Sequence, residues 1–289
     1  MNYTALIIHS PHTYQYALKL STRFSKVDFL EVTKPPTKKI IKRKKDFVIG
    51  VGGGSVIDTA KIIAGNRRCI AIPTTASGAS MTPYAAIWKK NKKTSVKTRI
   101  PILEDYKNVI RLPYKVLMST YFDALSHNVE ALFSKYATKE SNYYVYQSLK
   151  LFEHYKHTNK INILVKAGDY AGKAIAITKT NLIHAISYVL TLEYKINHGI
   201  ACGLLLPYLI EYINYPNLND YFNSKSFKKI IKEIRETFYP SMLSLIPKNL
   251  NAEIIVTKAL LYSKIHDSIK KVTKKTLIKV IEKIIQENK

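Results

Sequence analysis

One carboxylate and three imidazoles in this sequence have the residue types and spacing of metal ligands. They are Asp123, His127, His184 and His198. Asp123 and His127 are four residues apart, so a helix places both side chains on one face. His184 and His198 are too far apart for one helical turn, so they must come from consecutive elements folded against each other. This nitrogen-rich set suits Fe, Zn, Co or Ni and differs from the oxygen ligands that Mg and Ca prefer.

A glycine-rich turn upstream has the features of a phosphate-binding site. The apolar run 47–51 predicts a buried strand, and residues 55–64 predict a helix with Asp58 in its first turn. The glycines between them let backbone N–H groups approach a pyrophosphate at the positive end of the helix, and they permit a positive φ. We therefore predict a nucleotide site at Gly52, Gly53, Gly54, Ser55 and Asp58.

The elements that carry these motifs change type along the chain. The pattern predicts strands at 5–8, 27–32, 47–51 and 69–72, helices at 14–24 and 55–64, and a basic helix after Pro35-Pro36. From Pro113 onward it predicts helices at 116–137, 141–155, 167–190 and 199–212, and an amphipathic helix in the lysine-rich tail from 270. We therefore expect an α/β nucleotide-binding domain with a parallel sheet at 1–112, an all-α metal-binding domain at 113–289 and a cleft between them.

Length and cysteine usage indicate an intracellular enzyme. The 289 residues suffice for one large or two ordinary domains. Cys69 and Cys202 lie far apart in apolar surroundings, which predicts a reducing compartment and no disulfide framework. The first residues lack the basic lead and cleavage site of a signal peptide, and no apolar run is long enough to span a bilayer. We expect a cytoplasmic protein without a membrane partner.

The formal net charge of +26 does not by itself indicate a nucleic-acid partner. Of the 46 cationic residues only seven are arginine, and no nucleic-acid motif or aromatic platform accompanies them. We therefore predict no specific nucleic-acid binding. A positive field of this size nevertheless attracts small anions. An anionic substrate would benefit from it.

Four blocks of the sequence resemble the iron-dependent, group III alcohol dehydrogenases. They are GGGSVIDTAK at 52–61, IPTTASGASMTP at 72–83, DALSH at 123–127 and NHG at 197–199, and their order and spacing agree as well. The resemblance implies the dehydroquinate synthase-like fold of that family, with Fe(II), or Zn, Co or Ni in its place, and NADPH or NADH as cofactors. Residues 123–141 and 174–191 resemble the phosphonoacetaldehyde reductases, which implies reduction of a small phosphonate or phosphate aldehyde.

The resemblance also assigns roles to single residues. Thr74, Thr75, Ser80 and Thr82 stand where the family's second turn contacts the cofactor, and Lys97 stands where it has a cofactor-contacting lysine. Tyr188 replaces a histidine that many relatives use in proton transfer, so its phenol, or water, must serve in that catalytic place. After the first strand, where NAD-specific relatives often have Asp, this chain has His9-Ser10. We therefore expect NADPH to be accepted at least as well as NADH.

Two other functions remain open from the sequence. The first is another reaction on the same scaffold, such as that of a glycerol-1-phosphate dehydrogenase or a lyase of the dehydroquinate synthase type. The second is a non-catalytic basic binding protein descended from such an enzyme. The four metal-ligand side chains favour an enzyme over the binding protein. The sequence leaves the substrate, the native metal and the oligomeric state open, a homodimer included.

Overall fold

A five-stranded sheet, all parallel, forms the centre of the N-terminal part. The computed structural model describes residues 2–37, 45–89, 92–103, 112–214, 217–219 and 222–288. Its first seven strands are β1 (Thr4–His9), β2 (Lys26–Glu31), β3 (Phe47–Gly52), β4 (Cys69–Pro73), β5 (Tyr84–Lys89), β6 (Lys92–Lys97) and β7 (Ile102–Leu103). The sheet has the order β2-β1-β3-β4-β7. Among the described residues, two helices accompany it, α1 (Tyr14–Ser21) and α2 (Gly54–Ala64).

Both faces of this sheet are covered, which is why its central strands are nearly continuous apolar runs. Successive side chains of a strand point to opposite faces. Leu6 and Ile8 of β1 share one apolar cluster with α2, whereas Ala5 and Ile7 share another with α1. The predicted parallel α/β arrangement is confirmed, with β7 as an additional strand at the edge.

An antiparallel pair, β5 with β6, extends from this part of the molecule. We call it the β5–β6 ribbon; Tyr84 pairs with Lys97 and Trp88 with Lys93. The sequence pattern does not predict these strands, because lysines interrupt the alternation of apolar and polar residues. The ribbon contacts α2 and reaches α6 of the helical part. It therefore carries side chains from one part of the molecule towards the other.

From Tyr114 the described chain is mainly helical. The helices are α3 (Tyr114–Leu132), α4 (Lys139–Thr158), α5 (Ile161–Thr178), α6 (Leu182–Tyr194), α7 (His198–Ile213), α8 (Ser224–Glu233), α9 (Tyr239–Leu243), α10 (Ala252–Ala259) and α11 (Lys274–Glu287). Strands β8 (Asn217–Asn219) and β9 (Phe222–Asn223) form a short antiparallel pair. One large apolar cluster joins the helices, and Phe122, Leu205 and Leu277 are fully buried within it. The predicted all-α second part is confirmed in outline.

The helix predicted at 14–24 ends three residues early, at Ser21, and two other predicted helices differ more from the structure. The single helix predicted at 167–190 is two helices, because Lys179 adopts a positive φ of 61° and the Asn181 side chain caps α6 by accepting from the Leu182 N–H. The two helices are bent by 109° at this break. The helix predicted at 116–137 ends five residues early, at Leu132. The basic helix predicted after Pro36 falls mainly on residues 38–44, outside the described residues.

No single described helix is long and apolar enough to cross a bilayer, although α5 and α6 taken together as a bent pair meet the length and hydropathy of a membrane span.

Candidate functional site

The four side chains that the sequence indicates as metal ligands lie together in the structure. Asp123 and His127 are one turn apart on α3, His184 is in the first turn of α6, and His198 is the first residue of α7. The Nε2 atoms of His127, His184 and His198 lie 3.6, 3.4 and 3.7 Å from a single oxygen, Oδ1 of Asp123. The break between α5 and α6 makes this possible, because it starts a new helix directly before His184.

These distances fit a shared cation better than hydrogen bonds. They exceed ordinary hydrogen-bond lengths, and Asp123 Oδ1 and His184 Nε2 are buried without a hydrogen-bond partner. Ligand atoms about 2.1 Å from a tetrahedral metal ion lie roughly 3.4 Å from each other. One carboxylate and three imidazoles are also donors that Fe, Zn and Co accept. The residues present therefore fit a divalent transition metal.

Glu130 orients one of these imidazoles from behind. Its carboxylate contacts His184 Nδ1 at 2.7 Å and accepts the His184 backbone N–H at 3.0 Å, and the glutamate is fully buried. This leaves Nε2 of His184 facing Asp123, the arrangement typical of metal-binding histidines. Sequence reasoning did not single out Glu130. The available signal was its place three residues after His127, on the same face of an apolar helix.

Burial and mutual charge set the protonation of the cluster. Burial alone would raise the pKa of Asp123, but the three imidazoles outweigh it and hold that pKa well below its usual range. Burial lowers the pKa of His127 to about 4 and that of His198 well below its ordinary value, so both keep the neutral form that binds metals. Burial opposes the charged form of His184 as well, but the Glu130 carboxylate raises its pKa to about 9. A metal ion bound there must displace that proton.

Cys202 is a further potential donor that the sequence reasoning missed. Ligand atoms of Asp123, His184, His198 and Cys202 all lie within 4.8 Å of one another. Cys202 follows His198 by four residues on α7, which is the spacing that could have revealed it. Burial raises the pKa of its thiol, and a neutral thiol is a weak metal ligand. The imidazole set therefore remains the better description of the site.

Tyr188, the predicted catalytic phenol, lies next to the cluster. Its ring stacks on that of His198, with centroids 5.4 Å apart, and its Oη accepts a hydrogen bond from Lys264 Nζ at 3.0 Å. Burial favours the neutral phenol, but Lys264 and Lys93 outweigh it and lower the pKa of Tyr188 to about 7. A phenol with this pKa exchanges its proton near neutral pH.

The glycine turn lies at another part of the same cleft. Gly53, Gly54 and Ser55 line it at the start of α2, which no side chain caps, whereas Gly52 does not line it. A Cβ at Gly53 would lie 3.1 Å from Thr75, and one at Gly54 would lie 3.3 Å from Ser77 Oγ. The turn does not use the positive φ that glycine permits: Gly53 has φ −80° and is extended, since a strand leads directly into the helix. Close approach of the two turns explains these glycines instead.

The other residues predicted to bind the cofactor divide into two groups. Thr74, Thr75, Thr82 and Asp58 line the cleft. Asp58 is not in the first turn of α2 as predicted, and its carboxylate accepts the Ala86 N–H at 3.0 Å. Ser80 does not line the cleft, because its hydroxyl donates to Asp169 on α5. Ser80 thus joins the two parts of the molecule.

The structure does not bring Lys97 to the cleft. Its side chain is exposed near the end of β6. Lys93, four residues earlier on the same strand, lines the cleft instead and lies 4.2 Å from the centre of the Tyr188 ring. Four residues of extended strand span about 13 Å, so one ribbon cannot present both lysines at the same place.

The metal cluster and the glycine turn open into one cavity of about 940 Å³. Its wall includes Gly53 and Lys93 from the N-terminal part and Asp123, His184 and Lys264 from the helical part. The predicted cleft between the α/β part and the helical part is thus present. A dinucleotide and a small substrate have room in it together.

Comparisons with known proteins agree with this geometry. The family model described as iron-containing alcohol dehydrogenase matches residues 11–103, and that of the Fe-containing alcohol dehydrogenase C-terminal domain matches residues 117–237. The phosphonoacetaldehyde reductase of Streptomyces viridochromogenes is 28% identical over 211 residues, 58% of this chain and 53% of that protein. The sulfoacetaldehyde reductase of Bilophila wadsworthia is 26% identical over 205 residues, 59% and 53% of the two chains. The chain thus spans about half the length of these curated relatives.

The fold comparison covers more of the molecule. A solved iron-containing alcohol dehydrogenase superposes with a TM-score of 0.84 at 23% identity, over 99% of this chain and 92% of that one. The two family models together cover most of the chain, and residues from both matched ranges line the cleft. The chain belongs to the iron-containing alcohol dehydrogenase family.

Proposed function

We propose that this chain is a metal-dependent, NAD(P)H-linked aldehyde reductase acting on a small aldehyde that carries a phosphonate or phosphate group. The convergence of Asp123 and three imidazoles in the same cavity as the Gly53-Gly54 turn carries the proposal. We assign the metal to that cluster and the cofactor to the turn. The similarity to a phosphonoacetaldehyde reductase supports the class of substrate.

Each part of the site has a separate task in this reaction. The bound metal supplies Lewis-acid polarisation of the carbonyl oxygen, and NAD(P)H supplies the hydride. The Gly53-Gly54 turn and the N-terminus of α2 hold the pyrophosphate with backbone N–H groups. The product oxygen needs one proton, and Tyr188 Oη supplies it. The phenol is then reprotonated from water at the cleft, which its pKa of about 7 permits at neutral pH.

Metal analysis combined with NAD(P)H absorbance tests the proposal. Purified protein should retain a divalent transition metal and oxidise NADH or NADPH when phosphonoacetaldehyde is added. His198→Ala should lose both the metal and turnover while its circular dichroism stays unchanged, because a catalytic metal is not the main stabiliser of the fold. Full activity in metal-free His198→Ala protein would overturn the assignment.

The same assays separate the other two functions. A lyase of the dehydroquinate synthase type regenerates its cofactor, so product would form without net loss of NADH. A glycerol-1-phosphate dehydrogenase would oxidise that alcohol in preference to any aldehyde reduction. A non-catalytic binding protein would bind nucleic acid without metal, and that binding would weaken steeply with salt.

A further inference from the structure

Two lysines converge on the Tyr188 ring at the edge of the metal cluster. Lys93 Nζ lies 4.2 Å and Lys264 Nζ 4.6 Å from the ring centroid. Lys93 comes from the β5–β6 ribbon, and Lys264 comes from the 3-10 turn Ser263–Asp267 of the helical part. Both side chains are half-buried and line the cavity. Two parts of the fold thus each bring one ammonium group to the Tyr188 ring.

Neither of these lysines has a carboxylate partner. Among the residues that the structure describes, no ion pair within 4.0 Å involves Lys93 or Lys264, and the Lys264 ammonium donates to the hydroxyl oxygens of Thr180 and Tyr188. The buried Lys61 differs, since Asp58 lies 3.6 Å from it. The Tyr188 phenol and, beyond contact distance, Asp123 and Asp58 favour the charged form of Lys93. Because no described carboxylate contacts either ammonium group, a bound anion would add a direct counterion to these two half-buried like charges.

The cofactor does not explain this pair of charges. The pyrophosphate is assigned to the Gly53-Gly54 turn, and the nicotinamide ring is neutral when reduced and positive when oxidised. A positive ring is repelled by two ammonium groups. The substrate is the remaining molecule in the cavity that can supply the negative charge.

The position also suits a short substrate. The Tyr188 ring stacks on the His198 ring. The centroid of the Trp88 ring lies 5.8 Å from that of His198, and Lys93 Nζ lies 5.1 Å from the Trp88 ring centroid. The two ammonium groups are therefore separated from the metal ligands by no more than one aromatic ring. A molecule with a carbonyl at one end and an anion at the other can reach both.

We propose that Lys93 and Lys264 form an anion subsite that binds the phosphonate or phosphate group of a short-chain aldehyde while its carbonyl faces the Asp123 cluster. This inference rests on the proposed reductase function for the identity of the substrate. Two ammonium groups match a dianion better than a monoanion, so phosphonate should be preferred to sulfonate. The side-chain oxygens of Thr180 and Tyr188, which hold Lys264, fix one half of the subsite.

The first experiment measures binding without turnover. Methylphosphonate is titrated calorimetrically into wild-type protein and into Lys93→Met, Lys264→Met and His198→Ala. Lys92→Met, on the exposed side of β6, is the control with the same loss of charge as the lysine variants. Removing one charged donor should weaken binding roughly 10- to 100-fold in the first two variants. Lys92→Met should bind like wild type. Equal binding by all variants overturns the subsite, and so does a loss confined to His198→Ala, which would place the anion on the metal.

The second experiment compares kcat/KM for phosphonoacetaldehyde, sulfoacetaldehyde and the neutral isostere 3,3-dimethylbutanal. The ratio of the phosphonate to the neutral aldehyde should fall in Lys93→Met and Lys264→Met and stay constant in Lys92→Met. An equal loss for all three aldehydes would mean that the lysines act only through Tyr188, and it would overturn the subsite. Methylphosphonate binding that depends on both lysines, in a protein that reduces none of the aldehydes, would instead support the subsite and refute the reductase function.

Discussion

At the scale of single residues, the pairing of Glu130 with His184 is the contact most specific to a metal site. A buried carboxylate that holds Nδ1 leaves Nε2 pointing at Asp123 Oδ1, 3.4 Å away. Such a partner fixes the ring and makes the imidazole a stronger donor. A core histidine that binds no metal would not need a carboxylate to fix its ring and strengthen its Nε2 as a donor.

We predict that Glu130→Gln lowers metal affinity about 10- to 100-fold while the protein still folds. The glutamine preserves the shape of the side chain but removes the charge that orients and polarises His184. Metal content after dialysis against a graded chelator measures the change. Glu193→Gln on the same helix as His184 is the control, because Glu193 pairs with Lys258 away from the cavity. Unchanged metal retention in Glu130→Gln would contradict this role.

Cofactor choice depends on the end of β1. His9 is buried with Nδ1 3.0 Å from the Ser10 carbonyl oxygen, and Ser10 lines the cavity. No carboxylate follows the strand to repel a ribose 2′-phosphate. We predict that NADPH is used at least as well as NADH, and that Ser10→Asp shifts the kcat/KM ratio towards NADH. A strong preference of the unaltered protein for NADH would show that this position does not select the cofactor.

Residue spacing predicts part of this site and misses another part for a physical reason. Asp123 and His127 follow from a four-residue step on one helix. Glu130 lies on the same face, three residues after His127, so the same spacing argument could have predicted its place in the site. Lys93 and Lys264 are 171 positions apart in the chain and meet only through tertiary folding. No local periodicity encodes such a meeting.

At the scale of elements, one buried lysine attaches the β5–β6 ribbon to α2. Lys61 Nζ donates to the Ala79 carbonyl oxygen at 2.8 Å and to Thr82 Oγ1 at 3.3 Å, and it also donates to the Tyr84 carbonyl oxygen. Asp58, one turn earlier, accepts the Ala86 N–H of the ribbon. The pair thereby sets the position of the strand that precedes Lys93.

We predict that Lys61→Met lowers the free energy of unfolding by about 3–5 kcal/mol, because it leaves the Asp58 carboxylate buried without its partner. Urea denaturation measures the loss. Lys166→Met, at an exposed position on α5, is the control and should change little. A loss in Lys61→Met no larger than in that control would show that the ribbon is held by other contacts.

Element boundaries were predictable where the local chemistry is strong. The apolar runs of β1, β3 and β4 and the glycine turn into α2 follow from sequence alone. The break between α5 and α6 does not, because apolar residues continue across it and Asn181 reads as an ordinary polar residue until its capping contact is seen. The β5–β6 ribbon is equally hidden, since tertiary contacts with α2 compensate for its lysine-rich sequence.

At the scale of the whole molecule, charge acts over two distances. The net charge of +26 produces a long-range field that salt screens. Lys93 and Lys264 act at contact distance inside a half-buried cavity, where screening by salt is weaker. An anionic substrate experiences both effects, and a neutral one of the same shape experiences neither.

We therefore predict a salt dependence with two components. The ratio of kcat/KM for phosphonoacetaldehyde to that for 3,3-dimethylbutanal should be highest at low ionic strength and should fall as salt rises, because the screening length shrinks from about 30 Å at 0.01 M to about 3 Å at 1 M. The ratio should level off above one, since the contact with the two lysines persists. In the double variant Lys93→Met/Lys264→Met the kcat/KM ratio should still fall as salt rises, but it should level off at about one. Stopped-flow or steady-state NAD(P)H absorbance at several salt concentrations provides the ratios. A kcat/KM ratio above one that does not change with salt would mean that the subsite alone produces the preference for the phosphonate. A ratio of one at every ionic strength would refute the proposal that the substrate is an anion.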